Sequence, residues 1–333
     1  MFRLINPVKA GLRAAPKYTY STSSKSSGGS SKLLTVGLPL GITAAAAYVY
    51  YGDKLGGTAG SSNAAPAVAT AVKKAPVSSA LNPDAFVDFK LKSVEKITPN
   101  TSRFTFELEE DQNLGMHTAS CVVTKFIKED GKPVIRPYTP TSDMSDTGSF
   151  AFVIKHYDGG PMSSHIHSLK PGETLAVKGP ITKYKLAANQ HESVSLIAGG
   201  SGITPMLQII HGLLKDKDDK TKVNLLFANV TPEDIILKDE LDGYAKAHPD
   251  RFKVTYVVDK PPAGWKGPTG YINADMIKKV FPEIGKGNNK VFVCGPTPMM
   301  KVVSGDKGPN FTQGDVSGAL KELGLTNEQV FKF

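Results

Sequence analysis

Several short stretches gather side chains suited to phosphate, ribose and a flat ring. "RPYTPTSDMSD" (136–146) ends an apolar, β-favouring run with a fixed cation, Arg136, an aromatic ring, Tyr138, and the hydroxyl of Thr139. "IAGGSGITPM" (197–206) is a glycine-rich turn that leaves an apolar strand and opens a helix. Gly199, Gly200 and Gly202 let main chain approach a phosphate, whose charge is favoured at a helix N-terminus. The turn is no P-loop, because Gly-Lys-Ser/Thr is missing, and no G-x-S-x-G elbow, because Ile203 follows where glycine is needed. It also departs from G-x-G-x-x-G, with Pro205 in place of the last glycine. A plain glycine turn is the competing reading.

A second anion seat lies in "GGPMSSHIHSLKPGE" (159–173), where Gly159, Gly160, Ser163 and Ser164 open another helix with free N–H groups. His165 and His167 in the same stretch resemble a metal pair, but H-x-H on a helix does not face one way and no third ligand is nearby. "VFVCGPTPMM" (291–300) closes another apolar strand with Cys294, on the same rim as the first glycine turn; a buried structural thiol is the alternative. "YVVDKPP" (256–262) ends a strand in Asp259, suited to accept hydrogen bonds from the adenosine ribose of NADH and to repel the extra phosphate of NADPH. An ordinary turn aspartate competes with that. Two phosphate seats in two differently patterned halves point to two dinucleotides meeting across a cleft.

The elements that must hold these residues fall into two rhythms. From 83 to 187 the chain runs in short alternating segments, "FVDFKLKSVEKI", "SRFTFELEE", "ASCVVTKFI", "VIRPYT", "GSFAFVIKHY" and "TLAVKGP", with "MSSHIHSLK" as one helical insert. That pattern predicts a small six-stranded antiparallel barrel. From 188 to 333 apolar strands alternate with helices: "SVSLIAGG", "TPMLQIIHGLLKD", "KVNLLFANV", "PEDIILKDELDGYAKAH", "FKVTYVVD", "NADMIKKVF" and "KVFVCGP". Strands buried on both faces and separated by helices predict a doubly wound parallel sheet, which holds ligands at its carboxyl edge.

With 333 residues, 40% of them hydrophobic, the chain has material for two cores plus accessories. Cys121 and Cys294 are the two cysteines and form no C-x-x-C, so neither a disulfide framework nor a zinc site is expected. The net charge of +9 is a weak argument for nucleic acid, because residues 1–52 carry Arg3, Lys9, Arg13, Lys17, Lys25 and Lys32 and no acid. Residues 1–32, basic and serine-rich, read as a mitochondrial targeting leader. Residues 33–51, "LLTVGLPLGITAAAAYVYY", lack charge and end in tyrosines; at ~1.5 Å per residue they just cross a bilayer core as a single anchor. Residues 52–82, rich in Gly, Ala, Ser and Pro, read as a flexible tether.

"RPYT", "GGPMS", "GGSGITPM" and "CGP", in that order and at this spacing, resemble the ferredoxin-reductase-like flavoproteins and, among them, the NADH-cytochrome b5 reductases. With the leader and anchor, the likeness is to the fungal mitochondrial form. It implies an FAD-binding barrel, an NADH-binding α/β domain, and hydride transfer followed by one-electron transfer to cytochrome b5 or a similar acidic haem protein. Arg136 would pair with the FAD pyrophosphate, where its fork suits phosphate geometry. Tyr138 and Thr139 would lie along the flavin and its ribityl chain. Lys155 and Tyr157 match positions near FAD and the nicotinamide, and Gly160, Met162 and Ser163 the pyrophosphate seat. Thr204 matches the residue bonded to the isoalloxazine ring, Asp259 the NADH-selecting carboxylate and Cys294 the thiol beside the nicotinamide. Thr204, Lys155 and Cys294 are thus the expected catalytic positions. Pro137, Val153, Ile154, Gly199, Gly200, Gly202, Pro205, Gly295, Pro296 and Met299 complete the expected cofactor-binding set, and Phe331 or Phe333 would pack near the flavin.

The segment 303–319, "VSGDKGPNFTQGDVSGA", is loop-like where relatives commonly continue as helix. The resemblance further implies a monomeric catalytic domain on the mitochondrial outer membrane, or an intermembrane-space form if the leader is cleaved. Lys178, Lys183 and Lys185 are candidates to steer the acidic partner. The rival readings are an NADPH-linked reductase of another electron carrier and a tethered binding module without turnover.

Overall fold

A computed structural model describes residues 77–333. The leader, the expected anchor and the tether up to residue 76 lie outside the described residues; among the described residues no helix is long and apolar enough to cross a membrane.

The first half contains β1 (Ser78–Ser79), β2 (Val87–Thr98), β3 (Thr101–Glu107), β4 (Gln112–Asn113), β5 (Ser120–Ile127), β6 (Pro133–Tyr138), β7 (Ser149–Lys155), helix α1 (Pro161–Ser168) and β8 (Thr174–Thr182). Six of the strands form one antiparallel sheet in the order β6-β5-β8-β2-β3-β7. Alternation drives it: Phe104 and Phe106 of β3 and Phe150, Phe152 and Ile154 of β7 point inward and are buried. Their rings contact one another, Phe106 lying 5.4 Å from Phe150 and 5.8 Å from Phe152. Each such ring stabilises the fold by about 1.5–3 kcal/mol. An exposed ion pair such as Lys90–Glu107 adds about 0–1 kcal/mol, so the rings decide the matter. The chain leaving β6 covers the free edge of β7, where Thr141 N–H donates to the Ala151 carbonyl at 2.8 Å and Ala151 N–H to Ser142 Oγ at 3.2 Å. These bonds curl the sheet into a barrel.

The barrel half begins before Pro83. Ser78–Ser79 pair in parallel with Gln112–Asn113, Leu81 is buried in the barrel core, and the Asn82 carbonyl accepts from Gly179 N–H at 3.2 Å. Residues 77–82, read from composition as the end of the tether, are therefore folded onto the barrel. One leucine and two backbone pairs leave too little pattern in "VSSALN" to betray this.

The second half contains β9 (Ser193–Gly199), α2 (Ile203–Lys215), β10 (Lys222–Asn229), α3 (Lys238–Ala247), β11 (Phe252–Val258), α4 (Ala274–Val280), β12 (Asn289–Cys294), α5 (Thr297–Val303), α6 (Gly318–Glu322) and β13 (Val330–Lys332). The five strands are all parallel, in the order β11-β10-β9-β12-β13. Central β9 feeds a core on each face, with Val194, Leu196 and Ala198 in one and Ile197 in the other. The order reverses between β9 and β12, which opens a crevice at their carboxyl ends.

One expectation changes here and another holds except at its ends. The helix expected over 232–248 is a 3-10 turn, Pro232–Asp234, followed by α3, with Leu237 between them in the left-handed region at φ 58°. Ile235, Ile236 and Leu237 are all buried, and three consecutive apolar residues cannot share one helical face. The segment expected to be loop-like does open with the end of α5 and close with α6, but from Ser304 to Ser317 it holds only the 3-10 turn Pro309–Phe311. Lys332 of β13 pins it. Its buried ammonium donates to the carbonyls of Asp306 (3.1 Å) and Asp315 (2.8 Å), and burial pulls its pKa below the usual lysine range.

The two halves meet along a packed seam. Ala119 and Val153 of the barrel join the core around α2, and Ser120 N–H donates to Gln208 Oε1 at 2.8 Å in a buried bond. Lys215 reaches Asp143 at 2.7 Å, and Arg103 bridges Glu95 of the barrel (3.3 Å) and Glu240 of α3 (3.6 Å).

Candidate active site

On the barrel side of the seam, β6 delivers Arg136 and Tyr138 to the rim. Arg136 is exposed, and among the described residues its guanidinium bonds only the adjacent Ile135 carbonyl, at 2.8 Å. A fork with only this one bond keeps donors available to a diphosphate. Tyr138 is half-buried against Phe152, at 6.0 Å between rings. Burial, aided by nearby Tyr157 and opposed by Arg136, pushes its phenol up to about 12, so it remains a neutral hydroxyl. Pro137 is exposed and Thr139 half-buried beside it.

Strand β7 ends in the expected residues Val153, Ile154 and Lys155. Val153 and Ile154 are buried, the first in the α/β core and the second in the barrel core, so only their main chain can meet a ligand. Lys155 crosses the seam to Asp234 at 3.6 Å, and both side chains are mostly buried. Tyr157, an exposed residue, crosses as well, its hydroxyl 2.7 Å from Ser201 Oγ.

Helix α1 starts at Gly160 without a side-chain cap, and Pro161 brings no N–H, so the amides of Met162 and Ser163 open the helix unpaired by it. The Ser163 hydroxyl turns inward instead, accepting from Tyr157 N–H (3.2 Å) and donating to the Gly160 carbonyl (3.0 Å). Met162 lies in the barrel core, so its side chain serves packing and only its amide faces the seat. The histidines of this helix are occupied: His165 stacks on Phe126 at 4.0 Å and His167 Nε2 donates to the Ile154 carbonyl at 2.9 Å. Burial lowers the pKa of both.

On the α/β side, the turn Gly200–Gly202 packs against the ends of β7, β9 and β10. A Cβ on Gly202 would stand 2.2 Å from the Cys294 carbonyl, and one on Gly199 would stand 2.4 Å from Met299 Sδ. Gly295 is as tight, at 2.7 Å from the same sulfur. These glycines seat the two turns of the crevice against each other, with Met299 between them. Gly200 differs: at φ 51° it faces open space, where main chain can approach a ligand. Helix α2 starts at Gly202 without a side-chain cap; Thr204 Oγ1 donates to the Ser201 carbonyl at 3.3 Å and Pro205 is buried. Pro296 is exposed at the start of α5. Cys294 is half-buried, and burial, opposed by Lys307, pushes its thiol up to about 12, which keeps it neutral. Asp259 follows β11 and is half-buried; its N–H donates to the Asn229 carbonyl at 3.0 Å, while its carboxylate makes no bond among the described residues.

The structure thus gathers Arg136, Tyr138, Tyr157, Ser201, Gly202 and Cys294 along one rim, with Asp259 two strands away from the crevice. Phe331 and Phe333 pack on Phe292 at 6.0 and 5.9 Å, and Phe331 also contacts Tyr184, so both are engaged in the α/β core. Sequence reasoning missed Ser201 and Asp234, the partners of Tyr157 and Lys155. Asp234 was hidden inside the over-long helix; the only signal for it was Pro232, which favours a turn ahead of α3.

Among the described residues, two helix starts without side-chain caps, a guanidinium bonded only to its neighbour's carbonyl, a glycine with open space before it and an unbonded carboxylate fit two phosphate-bearing cofactors at the seam. Fold and site define a flavin- and pyridine-nucleotide-dependent oxidoreductase. Residues 88–186 match the oxidoreductase FAD-binding domain and residues 196–305 the oxidoreductase NAD-binding domain. The chain belongs to the NADH-cytochrome b5 reductase family. It is 51% identical to NADH-cytochrome b5 reductase 2 of Debaryomyces hansenii over 75% of this chain and 84% of that one. It is 43% identical to NADH-cytochrome b5 reductase 2 of Aspergillus niger over 100% of this chain and 98% of that one. Among solved structures, the cytochrome b5 reductase domain of Ulva prolifera nitrate reductase matches with a TM-score of 0.66 at 31% identity, over 78% of this chain and 100% of that one.

Proposed function

We propose that this reductase passes single electrons from NADH-reduced FAD to cytochrome b5 or a similar acidic haem protein, while held by residues 33–51 at the mitochondrial outer membrane. The observation that carries the electron-transfer reading is the seam itself. Tyr157 and Lys155 of the barrel bond Ser201 and Asp234 of the α/β half, so the two phosphate seats are fixed relative to each other. FAD, when bound, supplies the exchange between a two-electron donor and a one-electron acceptor. The chain supplies position: Arg136 and the start of α1 hold the first diphosphate, and Gly200 and the start of α2 hold the second. No side chain must take a proton from the donor, and a thiol held neutral at Cys294 adds no charge beside it. Lys183 and Lys185 are exposed where β8 leaves the barrel, and Lys178 shares the Phe86 ring with Lys125. This cationic face supports docking of an acidic partner. The names of the relatives support cytochrome b5 as that partner.

The test is a flavin spectrum: NADH should bleach it, and oxidised cytochrome b5 should restore it. The restoring rate should fall as salt rises, and a salt-insensitive rate would refute docking through the lysine face. For the anchor, the full chain should sediment with mitochondrial outer membranes and a chain lacking residues 33–51 should not. The competing NADPH reading is opposed by Asp259: Asp259→Ala is expected to narrow the NADH preference by about tenfold, roughly 1.4 kcal/mol. An unchanged kcat/KM ratio for the two nucleotides removes Asp259 from the ribose site.

A further inference from the structure

Asn229, the last residue of β10, stands out among the buried polar side chains. It is 8% exposed, yet among the described residues neither its Oδ1 nor its Nδ2 has a hydrogen-bond partner. A carboxamide offers one acceptor and two donor hydrogens, and leaving all of them unmet inside a fold is costly unless something else meets them. Its position says what that is. Along β10, Leu225 and Phe227 face the core shared with α2 and barrel residue Val153, whereas Leu226 and Ala228 face the opposite core. Asn229 continues the first set, so its amide lies on the α2 side at the carboxyl edge of the sheet. That edge is where the glycine turn Gly200–Gly202 packs against β10. The Asn229 carbonyl meanwhile receives the N–H of Asp259, the candidate ribose carboxylate, at 3.0 Å. In strand order Asn229 therefore ends the strand between the one that feeds the phosphate turn and the one that ends in the candidate ribose acceptor. Nearby, Ser201 is paired with Tyr157, Lys155 with Asp234, and Thr231 with Asp234 at 3.3 Å, whereas the carboxylate of Asp259 is, like the Asn229 amide, without a bond among the described residues.

We propose that Asn229 is a positioning residue for the pyridine nucleotide, its carboxamide gaining its hydrogen bonds when the adenosine diphosphate half is seated, directly or through one water. This rests on the reading of the crevice as the NADH site. It predicts opposite effects on stability and on binding. Asn229→Leu keeps the branching and heavy-atom count and deletes the unmet amide, so the enzyme free of nucleotide gains or holds stability while the nucleotide loses its partner. Asn229→Asp keeps the shape and places a carboxylate near the diphosphate.

The experiment uses the FAD-loaded full chain and ADP-ribose as the probe, with binding read by thermal shift and by inhibition of NADH oxidation. In both variants FAD absorbance should be retained and the ADP-ribose dissociation constant should rise at least tenfold. KM for NADH should rise in step, with kcat within about twofold of wild type. The Leu variant should melt no lower than wild type in the absence of ADP-ribose. Wild-type affinity for ADP-ribose in the Asp variant overturns the inference. So does a Leu variant that melts several degrees lower, because the amide would then have an internal partner. Should the Leu variant fail to fold, the Asp variant decides. A wild-type enzyme that holds FAD but does not bind ADP-ribose refutes the nucleotide reading of the crevice itself, and is thereby told apart from failure at Asn229.

Discussion

The two glycine turns at the seam are built from similar sequence and wired differently. In the barrel turn, Ser163 spends its hydroxyl on Tyr157 N–H and the Gly160 carbonyl, so the turn is tied to itself. In the α/β turn, Ser201 spends its hydroxyl on Tyr157 across the seam, and Gly200 faces open space. A self-tied seat keeps its shape whatever its neighbour does, as a resident cofactor requires. A seat tied to the other half is held in register with it, as transfer between two bound cofactors requires. Similar residue types thus serve different needs, and the difference lies in where one hydroxyl points.

The contrast can be broken from either side. The largest effect is expected from Gly202→Ala, whose Cβ would meet the Cys294 carbonyl at 2.2 Å and force the two crevice turns apart. Overpacking of this kind costs about 1–3 kcal/mol. FAD absorbance should survive while flavin bleaching by NADH slows by more than about tenfold. Arg136→Ala attacks the other seat. Loss of a charge-assisted bond of about 1.5–3 kcal/mol should weaken FAD binding roughly 10- to 100-fold, read as a lowered flavin-to-protein absorbance ratio. Tyr157→Phe sharpens the comparison by cutting only the tie across the seam. About 1 kcal/mol is at stake, a drop in Tm of about 2–4 °C by calorimetry, with FAD retained. The smallest effect concerns Asp143. Its burial would raise the pKa, but the hydrogen bonds from Lys215 and Ser145 and the charge of Lys215 outweigh it and hold the carboxyl at about 2, below its ordinary 3.8. A folded pKa below the unfolded one means that the stabilisation is complete above about pH 4 and is lost as pH falls through 2. Because the Lys215 side chain is 57% exposed, Lys215→Met should cost about 0.5 kcal/mol or less and flatten the acid limb of stability in that window.

Strand positions and the two-part architecture were legible because alternation and buried parallel runs leave a direct mark on sequence. The wiring was not. Lys155 and Asp234 meet only because two sheets meet, and no local pattern links them. Asn229 looks like any polar residue that ends a strand. Lys332, between two aromatic residues in "VFKF", reads as an outward-facing position. It is buried because Asp306 and Asp315 bring carbonyls to its ammonium, which a loop without periodicity does not announce. The glycine turns could be found, since glycine marks close approach, but what approaches each one could not.

The Lys332 ammonium also links the fates of two segments. Stability is not uniform along a chain, and surface loops ordinarily open alone at little cost. Here residues 304–317 cannot swing away without stripping a buried charge of its acceptors, while Gln313 also exchanges hydrogen bonds with the main chain of Lys332. Loop and terminal strand therefore open as a single unit, so a protease that nicks this loop reports on the loss of β13 from the sheet rather than on motion of the loop itself.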